Sequence, residues 1–464
     1  MAGDMGRNLG QSLLAKTREK LQRLPLWRQA LLALVLTGMV TVAGVILAAH
    51  LAERRLGREV IKISKAGEPI VYADLRSERT GAGTGEDAAL YYIEAIRKIR
   101  PADLEGLMKS NVFYRLNMVS LPADKFPGEL REKVGQNLTK AEPVLAMLDK
   151  GAQLPLSEFD IGVLRGKQIL KDRLDSVQGA VFLSSLRTLD LIRTANAEKA
   201  TESVVTTLRL IRAFDTFPTT MVQGRKMICV RLVCSDIQLL LIFCHPLDKQ
   251  LERLQSLLDE AFRSDSLERT LLAERVYQLE VGRNLFTRTI TSRFLSPDVP
   301  SLPERLATPK FTWHRMRICA GAARFLRDMA WFIKNSRLPW PGPLNEIKDA
   351  SSTPSKGASG LILSVVPLTR LIAETLVTTE CVKTVVAIER YRREEKVLPD
   401  RLEDICPRYI QAIPLDPFTG RAVLYTHDDK SYRVYSAAKI RIDDVNSIIP
   451  ESGASSAGEL SQEN

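Results

Sequence analysis

Histidine and paired cysteines, the residues that most often mark metal and redox sites, are scarce in this sequence. Its four histidines are widely separated, at His50, His245, His314 and His427. Transition-metal sites typically have ligands clustered at short spacing, so this arrangement predicts no such site. The six cysteines include no C-x-x-C pair, which excludes the zinc-ribbon and thioredoxin-type motifs. Aromatic residues make up only 6% of the chain, which disfavours an aromatic-rich binding platform.

Motifs that carry enzymatic chemistry are also absent. The sequence has no G-x-S-x-G nucleophile elbow, no Walker phosphate loop, no H-E-x-x-H and no EF-hand loop. Gly81, Gly83 and Gly85 form a G-x-G-x-G run, but a dinucleotide-binding loop needs a different glycine spacing. We therefore expect a non-enzymatic protein with no cofactor, and we assign no catalytic, cofactor-binding or metal-binding residues. A membrane-tethered hydrolase with a dispersed site is the alternative.

The charge balance is basic but evenly spread. The 464 residues include 66 Lys+Arg and 55 Asp+Glu, for a formal charge of +11. Nucleic-acid-binding proteins usually concentrate such charge in a stripe or tail, so we expect no nucleic-acid partner. A composition of 45% hydrophobic and 26% charged residues is sufficient for a packed core. The length suits two or three domains.

One uncharged run of residues dominates the N-terminal region. No charged side chain occurs from Gln29 to Ala52. About 20 residues at about 1.5 Å per residue cross a hydrocarbon layer about 30 Å thick, so residues 29–52 predict a single transmembrane helix. A cleaved signal peptide is the alternative, but its apolar region is normally about 7–15 residues long. We therefore expect an uncleaved signal-anchor that follows a basic N-terminal flank, residues 1–28.

The charges on the two sides of this run give little guidance on its orientation. Residues 1–28 contain six basic and two acidic side chains, and the stretch after the run is also basic, with Arg54, Arg55 and Arg58. The positive-inside rule therefore gives only a slight preference. Because short N-terminal tails usually remain in the cytoplasm, we expect a bacterial inner-membrane protein with most of its chain outside the cytoplasm.

Residues 53–335 are predicted to form a mainly helical body. We expect it to begin with a short extended stretch at Val60–Ile63 and a strand at Ile70–Tyr72. Apolar residues then recur at helical spacing in the segments 129–149, 166–196, 198–216, 222–244 and 247–261. The short breaks between these segments predict antiparallel hairpins. Proline, serine and glycine mark residues 336–360 as a linker, and the composition of residues 451–464 predicts a disordered tail.

Residues 361–450 contain a distinctive order of motifs. A long helix from about Leu363 ends in I-E-R-Y-R at 388–392, and the turn I-P-L-D-P-F-T-G at 413–420 leads into two strands. The two prolines of the turn exclude helix, Asp416 can cap it, and Gly420 can supply a positive φ. The strands, around Tyr425 and Val434, can pair across a hairpin. The segment is therefore predicted to be a long helix covered by a β-hairpin.

This order resembles the soluble domain of the major pseudopilins of type II secretion and of pilin-like domains related to them. In those proteins a long helix ends near A-x-E-x-Y-R, and an L-P-x-D-P-F turn leads to a strand pair ending in Y-S, as at Tyr435–Ser436. The resemblance implies a small α+β pilin-like module. The chain has no prepilin signal, so it is not expected to be an ordinary filament subunit. The family binds calcium after this point, but here only Asp443 and Asp444 could serve as hard-ion ligands, and we favour a charged strand end over a calcium site.

These patterns predict a mainly α fold with a transmembrane helix, a multi-helix antiparallel body and a small α+β module. The expected function is that of a membrane-anchored structural or adaptor protein of the bacterial envelope, near a secretion or pilus-like machine. Its expected partners are the membrane and an unidentified protein, and a helical scaffold for peptides or lipids is a further alternative. Cys381 and Cys406 could pair outside the cytoplasm, whereas cysteines in apolar helical segments are expected to be buried free thiols.

Overall fold

The computed structural model describes residues 25–76, 87–100, 103–121, 125–155, 159, 167–263, 265–294, 309–352, 359–428, 431–438 and 449–450. Most of these residues are helical, which confirms the mainly α fold predicted from the sequence. The helices are α1 (Leu26–Lys65), α2 (Tyr72–Arg76), α3 (Ala88–Arg97), α4 (Leu104–Ser120), α5 (Gly128–Ala152), α6 (Lys167–Arg193), α7 (Ala197–Ile211), α8 (Thr220–Phe243), α9 (Asp248–Ala261), α10 (Ser266–Phe294), α11 (Pro309–Ser336), α12 (Gly342–Ser352) and α13 (Ser359–Glu395). Short 3-10 helices occupy Arg212–Thr216 and Leu402–Ile405, and the strands are β1 (Leu424–His427), β2 (Ser431–Tyr435) and β3 (Ile449–Pro450).

The chain divides into two compact units. The first combines α1 with the end of α10 and the first part of α11, and its bounds are Met1–Gly67 and Gly282–Arg327. The second comprises Glu68–Val281 and Asp328–Asn464, and it contains the other helices and the strands. The basic flank before residue 25 and the tail predicted at 451–464 lie outside the described residues.

The predicted transmembrane segment lies within the single 40-residue helix α1. This helix is long and apolar enough to cross a membrane, and no residue of its most apolar stretch is buried. The helix continues to Lys65, so the extended stretch expected at Val60–Ile63 is wrong. Extending an existing helix requires no new nucleation, and this outweighs the weak strand preference of β-branched residues.

The strand expected just after α1 is also wrong, because Tyr72 begins helix α2. The Asp74 carboxylate accepts hydrogen bonds from the backbone N–H groups of Ile70 and Val71, at 2.8 and 3.0 Å. These bonds lower the pKa of Asp74. They also satisfy the backbone donors that precede the first turn of α2. The Asp74 side chain therefore favours a helix start here, although the apolar residues Ile70–Tyr72 indicated a strand.

Helix α6 is the centre of the helical body and packs against α3, α4, α5, α7 and α8. Its core positions are mainly leucine, valine and alanine, including Leu174, Val177 and Leu186, which are fully buried. A short connection, residues 194–196, joins α6 to α7. There Asn196 caps α7 by accepting a hydrogen bond from the backbone N–H of Lys199 at 3.1 Å. The hairpin architecture predicted for this region is therefore present.

Other predicted segments agree with the structure to within a few residues. The segments 129–149, 166–196, 198–216, 222–244 and 247–261 correspond to helices α5, α6, α7 with the following 3-10 turn, α8 and α9. The stretch 336–360, predicted as a linker, contains helix α12 and the first residues of α13.

The C-terminal segment is a long helix followed by a hairpin, as predicted. Strands β1 and β2 are antiparallel, with Leu424 opposite Tyr435 and Tyr425 opposite Val434. Strand β2 also contacts α13 and pairs with the short β3. Helix α13 packs against α8, α9 and α12. The segment therefore shares a compact unit with the helical body.

Candidate functional site

The polar residues predicted for the C-terminal turn maintain its structure. The buried Asp416 carboxylate accepts hydrogen bonds from the backbone N–H of Phe418 at 2.8 Å and from the Ser436 hydroxyl at 2.7 Å. Gly420 adopts a φ of +69°, and a Cβ there would lie 3.1 Å from Cδ of Pro341. The roles predicted for Asp416 and Gly420 are therefore confirmed, and both are structural.

The helix-end motif at 388–392 also serves packing. The hydroxyl of Tyr432, on strand β2, donates to Oε1 of Glu389 in this motif at 2.6 Å, and Arg392 pairs with the second Glu389 oxygen at 2.7 Å. Burial raises the pKa of Tyr432 well above its ordinary value, and the neighbouring Glu389 raises it further. The tyrosine therefore remains a neutral hydrogen-bond donor that joins β2 to α13.

All six cysteines are unpaired, and only Cys406 is partly exposed. Burial raises the pKa of Cys229, Cys234 and Cys381 to about 12. Because the thiolate is the reactive form, these thiols are poor nucleophiles and poor metal ligands. Asp443 and Asp444, the two residues considered for calcium, lie outside the described residues. Within the described ranges, no group of three or more His, Cys, Asp or Glu side chains is placed to hold a metal ion.

A polar cleft of about 720 Å³ opens between α5, α6, α7 and α9. An ion pair lies in it: two nitrogens of Arg187 donate to the two Asp149 oxygens, each at 2.7 Å. The Thr206 hydroxyl donates to the same carboxylate at 2.9 Å. The third guanidinium nitrogen of Arg187 donates to the Ser203 hydroxyl at 3.1 Å. A bidentate pair with these additional bonds is rigid and geometrically specific.

The polar side chains of this cleft hydrogen-bond mainly to one another. The Ser203 hydroxyl is the one nearest to a nucleophile's position, but it accepts hydrogen bonds from Arg187 and Thr188. Among the described residues that line the cleft there is no histidine that could act as its base. Nucleophilic catalysis needs such a base within hydrogen-bond reach of the nucleophile. The Asp149 carboxylate is already engaged by a guanidinium and a hydroxyl. The cleft can accommodate a charged or polar ligand.

The outer face of α4 presents a stripe of exposed apolar side chains. Five large apolar side chains on this helix are exposed: Met108, Val112, Phe113, Leu116 and Val119. Four of them follow the spacing i, i+4, i+8, i+11, which places them in one stripe along the helix. The only exposed charges on the helix are Glu105 and Lys109, which pair with each other at 2.6 Å. We call these five residues the α4 face.

Polar contacts on the opposite side of α4 fix which face is presented. The Tyr114 hydroxyl donates to Asp190 on α6 at 2.8 Å, and Asn111 donates to the Ser185 hydroxyl at 2.9 Å. Arg115 donates to the Ser235 hydroxyl on α8 at 2.8 Å and pairs with the buried Asp236. Rotation of α4 would break all of these buried bonds at once, so the exposed stripe is a constrained feature of the fold.

Helix α4 and its exposed face are not evident from the sequence. Apolar residues occur on both sides of this helix, so its sequence lacks the one-sided periodicity that indicates an amphipathic helix. The sequence does contain one signal for an exposed apolar face. Residues 110–121 carry a single charge, Arg115, and hold more apolar residues than one buried helix face requires.

Comparison with known proteins adds no identification to this geometry. No protein-family model, no curated protein and no solved structure matches the chain.

Proposed function

We propose that this protein is a single-pass, membrane-anchored adaptor of the bacterial envelope whose helical body docks a partner helix on the α4 face. The anchor is the apolar part of α1, whose side chains are exposed in the isolated chain. Exposed leucines and valines at this density are stable in lipid and unfavourable in water. The inner membrane is the proposed location, with the body outside the cytoplasm.

The α4 face is the observation that carries the adaptor role. Its five side chains present on the order of 400 Å² of apolar surface, in the range of functional patches on soluble proteins. Complete burial corresponds to about 10 kcal/mol at about 25 cal/mol per Å², before the costs of association are subtracted. Because association itself costs about 4–15 kcal/mol, a surface of this size corresponds to a weak, reversible complex.

The occupant that fits this face is an apolar protein helix. A single straight stripe at i, i+4, i+8, i+11 matches the ridge of a second helix packed along α4. Helices that lie on lipid surfaces carry excess Lys and Arg beside their apolar face. On α4 the exposed charges, Glu105 and Lys109, cancel each other. A neutral surface of this kind favours protein over lipid.

We further propose that the chain is non-enzymatic and that its C-terminal segment is a pilin-like packing element. The arrangement of a long helix, the turn at Asp416 and the β1–β2 hairpin supports this comparison with pseudopilins. Association with a secretion or pilus-like machine follows from that comparison as part of the proposal.

Site-specific photocrosslinking in intact cells tests the adaptor role. A photoreactive amino acid at position 113 is expected to give one protein adduct of defined mass. The same amino acid at position 397 is the control, because Val397 is similarly exposed but lies outside the α4 face. Leu116→Glu should abolish the adduct without unfolding the protein, since this side chain already faces water. Adducts with lipid alone, or equal labelling from position 397, would overturn the proposal.

Thiol labelling tests the proposed orientation. A cysteine introduced by Ser455→Cys, in a Cys406→Ser background, leaves five buried native thiols. A membrane-impermeant maleimide should label this cysteine in intact cells if the body is outside the cytoplasm. Labelling only after lysis would place the body in the cytoplasm.

A further inference from the structure

Helix α11 is held beside α1 at the level where the apolar run of α1 ends. Glu53 is the first charged residue after that run, and it pairs with Arg315. Six residues further along α1, Glu59 lies 3.9 Å from Arg327. Because the residue numbers increase together on both helices, the first part of α11 runs parallel to α1. Residues before Arg315 therefore lie level with the last turn of the apolar run.

Burial on α1 is confined to one face. Ala49, Ala52 and Ile63 are the buried residues of the helix, and they share one face. Two of them lie in the last turn of the apolar run, so another part of the chain packs there. Small side chains at such a position allow helices to approach closely in a membrane.

The exposed side of α11 combines aromatic and basic residues. Trp313 is 47% exposed and Ile318 is 46% exposed, and Arg317 lies between them in an exposed position. From Pro309 to Arg327 the sequence contains five Lys+Arg and no acidic residue. A rise of about 1.5 Å per residue places Trp313 about 3 Å closer to the membrane centre than Arg315. Tryptophan is the residue most typical of the boundary between lipid and water.

We infer that the N-terminal end of α11 reaches into the membrane interface beside the anchor, with Trp313 at the boundary of the hydrocarbon and Arg317 bound to anionic phospholipid headgroups. The inference rests on the proposed transmembrane anchor. Basic residues near an anionic surface each strengthen its binding about fivefold, and amphipathic aromatic side chains define the depth. The contact gives the unit that contains the anchor a second attachment to the membrane.

Tryptophan quenching by brominated lipids tests the depth. Two variants of the full chain, each with three of the four tryptophans changed to phenylalanine, retain only Trp313 or only Trp27. In nanodiscs, Trp313 should be quenched strongly by lipid brominated near the headgroup and weakly by lipid brominated near the chain end. Trp27 precedes the apolar run and reports insertion of the anchor independently. Quenching of Trp27 without quenching of Trp313 overturns this inference alone, whereas absence of both overturns the anchor.

Lipid retention tests the headgroup contact. The probe is phosphatidylglycerol in mixed nanodiscs with phosphatidylcholine, and the readout is the number of phosphatidylglycerol molecules retained per chain in native mass spectrometry. Arg317→Gln should weaken retention about fivefold, whereas Arg131→Gln on the exposed side of α5 should leave it unchanged. Equal retention by both variants, or no preference for the anionic lipid in the unmodified chain, would overturn the contact.

Discussion

Replacing Arg115 by leucine should destabilise the helical body by about 3 kcal/mol. The substitution leaves Asp236, whose side chain is only 1% exposed, without its cationic partner. Removing one member of a buried ion pair typically costs about 3–5 kcal/mol, because the remaining charge is desolvated and uncompensated. The lower end of that range applies here, since Asp236 keeps a hydrogen bond from Ser185.

The pH dependence of this loss provides a second criterion. Burial raises the pKa of Asp236, and Arg115 opposes that rise. Without Arg115 the folded-state pKa of Asp236 increases further above its unfolded value. The folded state then binds a proton more readily than the unfolded state, so stability increases as the pH falls through the raised pKa. The loss of unfolding free energy caused by Arg115→Leu should therefore be largest at neutral pH and smaller in mildly acidic solution.

Pulse proteolysis in urea, on the full chain in detergent, measures these differences. The double variant Arg115→Leu/Asp236→Leu should return to within about 1 kcal/mol of the unmodified protein, because no buried charge remains. Arg253→Leu is the matched control: its pair with Glu202 is exposed, and its loss should cost less than about 1 kcal/mol. The reasoning is refuted if the double variant is as unstable as Arg115→Leu, or if the deficit is independent of pH.

Two further predictions concern packing and a buried hydrogen bond. Gly151→Ala should destabilise the fold by about 1–3 kcal/mol, because the new Cβ would lie 2.6 Å from Cε1 of Tyr92. Gly135→Ala, on the same helix, is the control: its Cβ meets open space, so it should be neutral or stabilising by up to about 1 kcal/mol. Urea midpoints that fall equally would contradict this. Tyr432→Phe should cost about 1–3 kcal/mol by leaving Glu389 buried with one fewer donor, and an unchanged midpoint would argue against the bond.

Long helices and the C-terminal hairpin could be predicted because their signals are local. Helix α9 has apolar residues only on its buried side, so periodicity alone identifies it. The turn at Asp416 is specified by prolines, a capping carboxylate and a glycine within a few residues. In such segments the residues that determine the structure are close neighbours in sequence.

Features that depend on distant residues could not be predicted in the same way. The orientation of α4 is set by bonds from Tyr114 to Asp190 and from Arg115 to Asp236, which join residues far apart in sequence. The contact between α11 and the end of the anchor likewise depends on the ion pair of Arg315 with Glu53, two residues far apart in sequence. The polar cleft combines Asp149 and Arg187 from different helices, so neither residue is distinctive in the sequence.

Alkaline carbonate extraction is the most direct test of the membrane anchor, on which the adaptor proposal depends. The intact full-length chain should remain in the membrane pellet. A variant with Leu36→Arg and Val40→Arg should be released into the supernatant, since each arginine at the centre of the apolar run costs about 2.5–3.5 kcal/mol of insertion free energy. Release of the unmodified chain in the same wash would contradict the account.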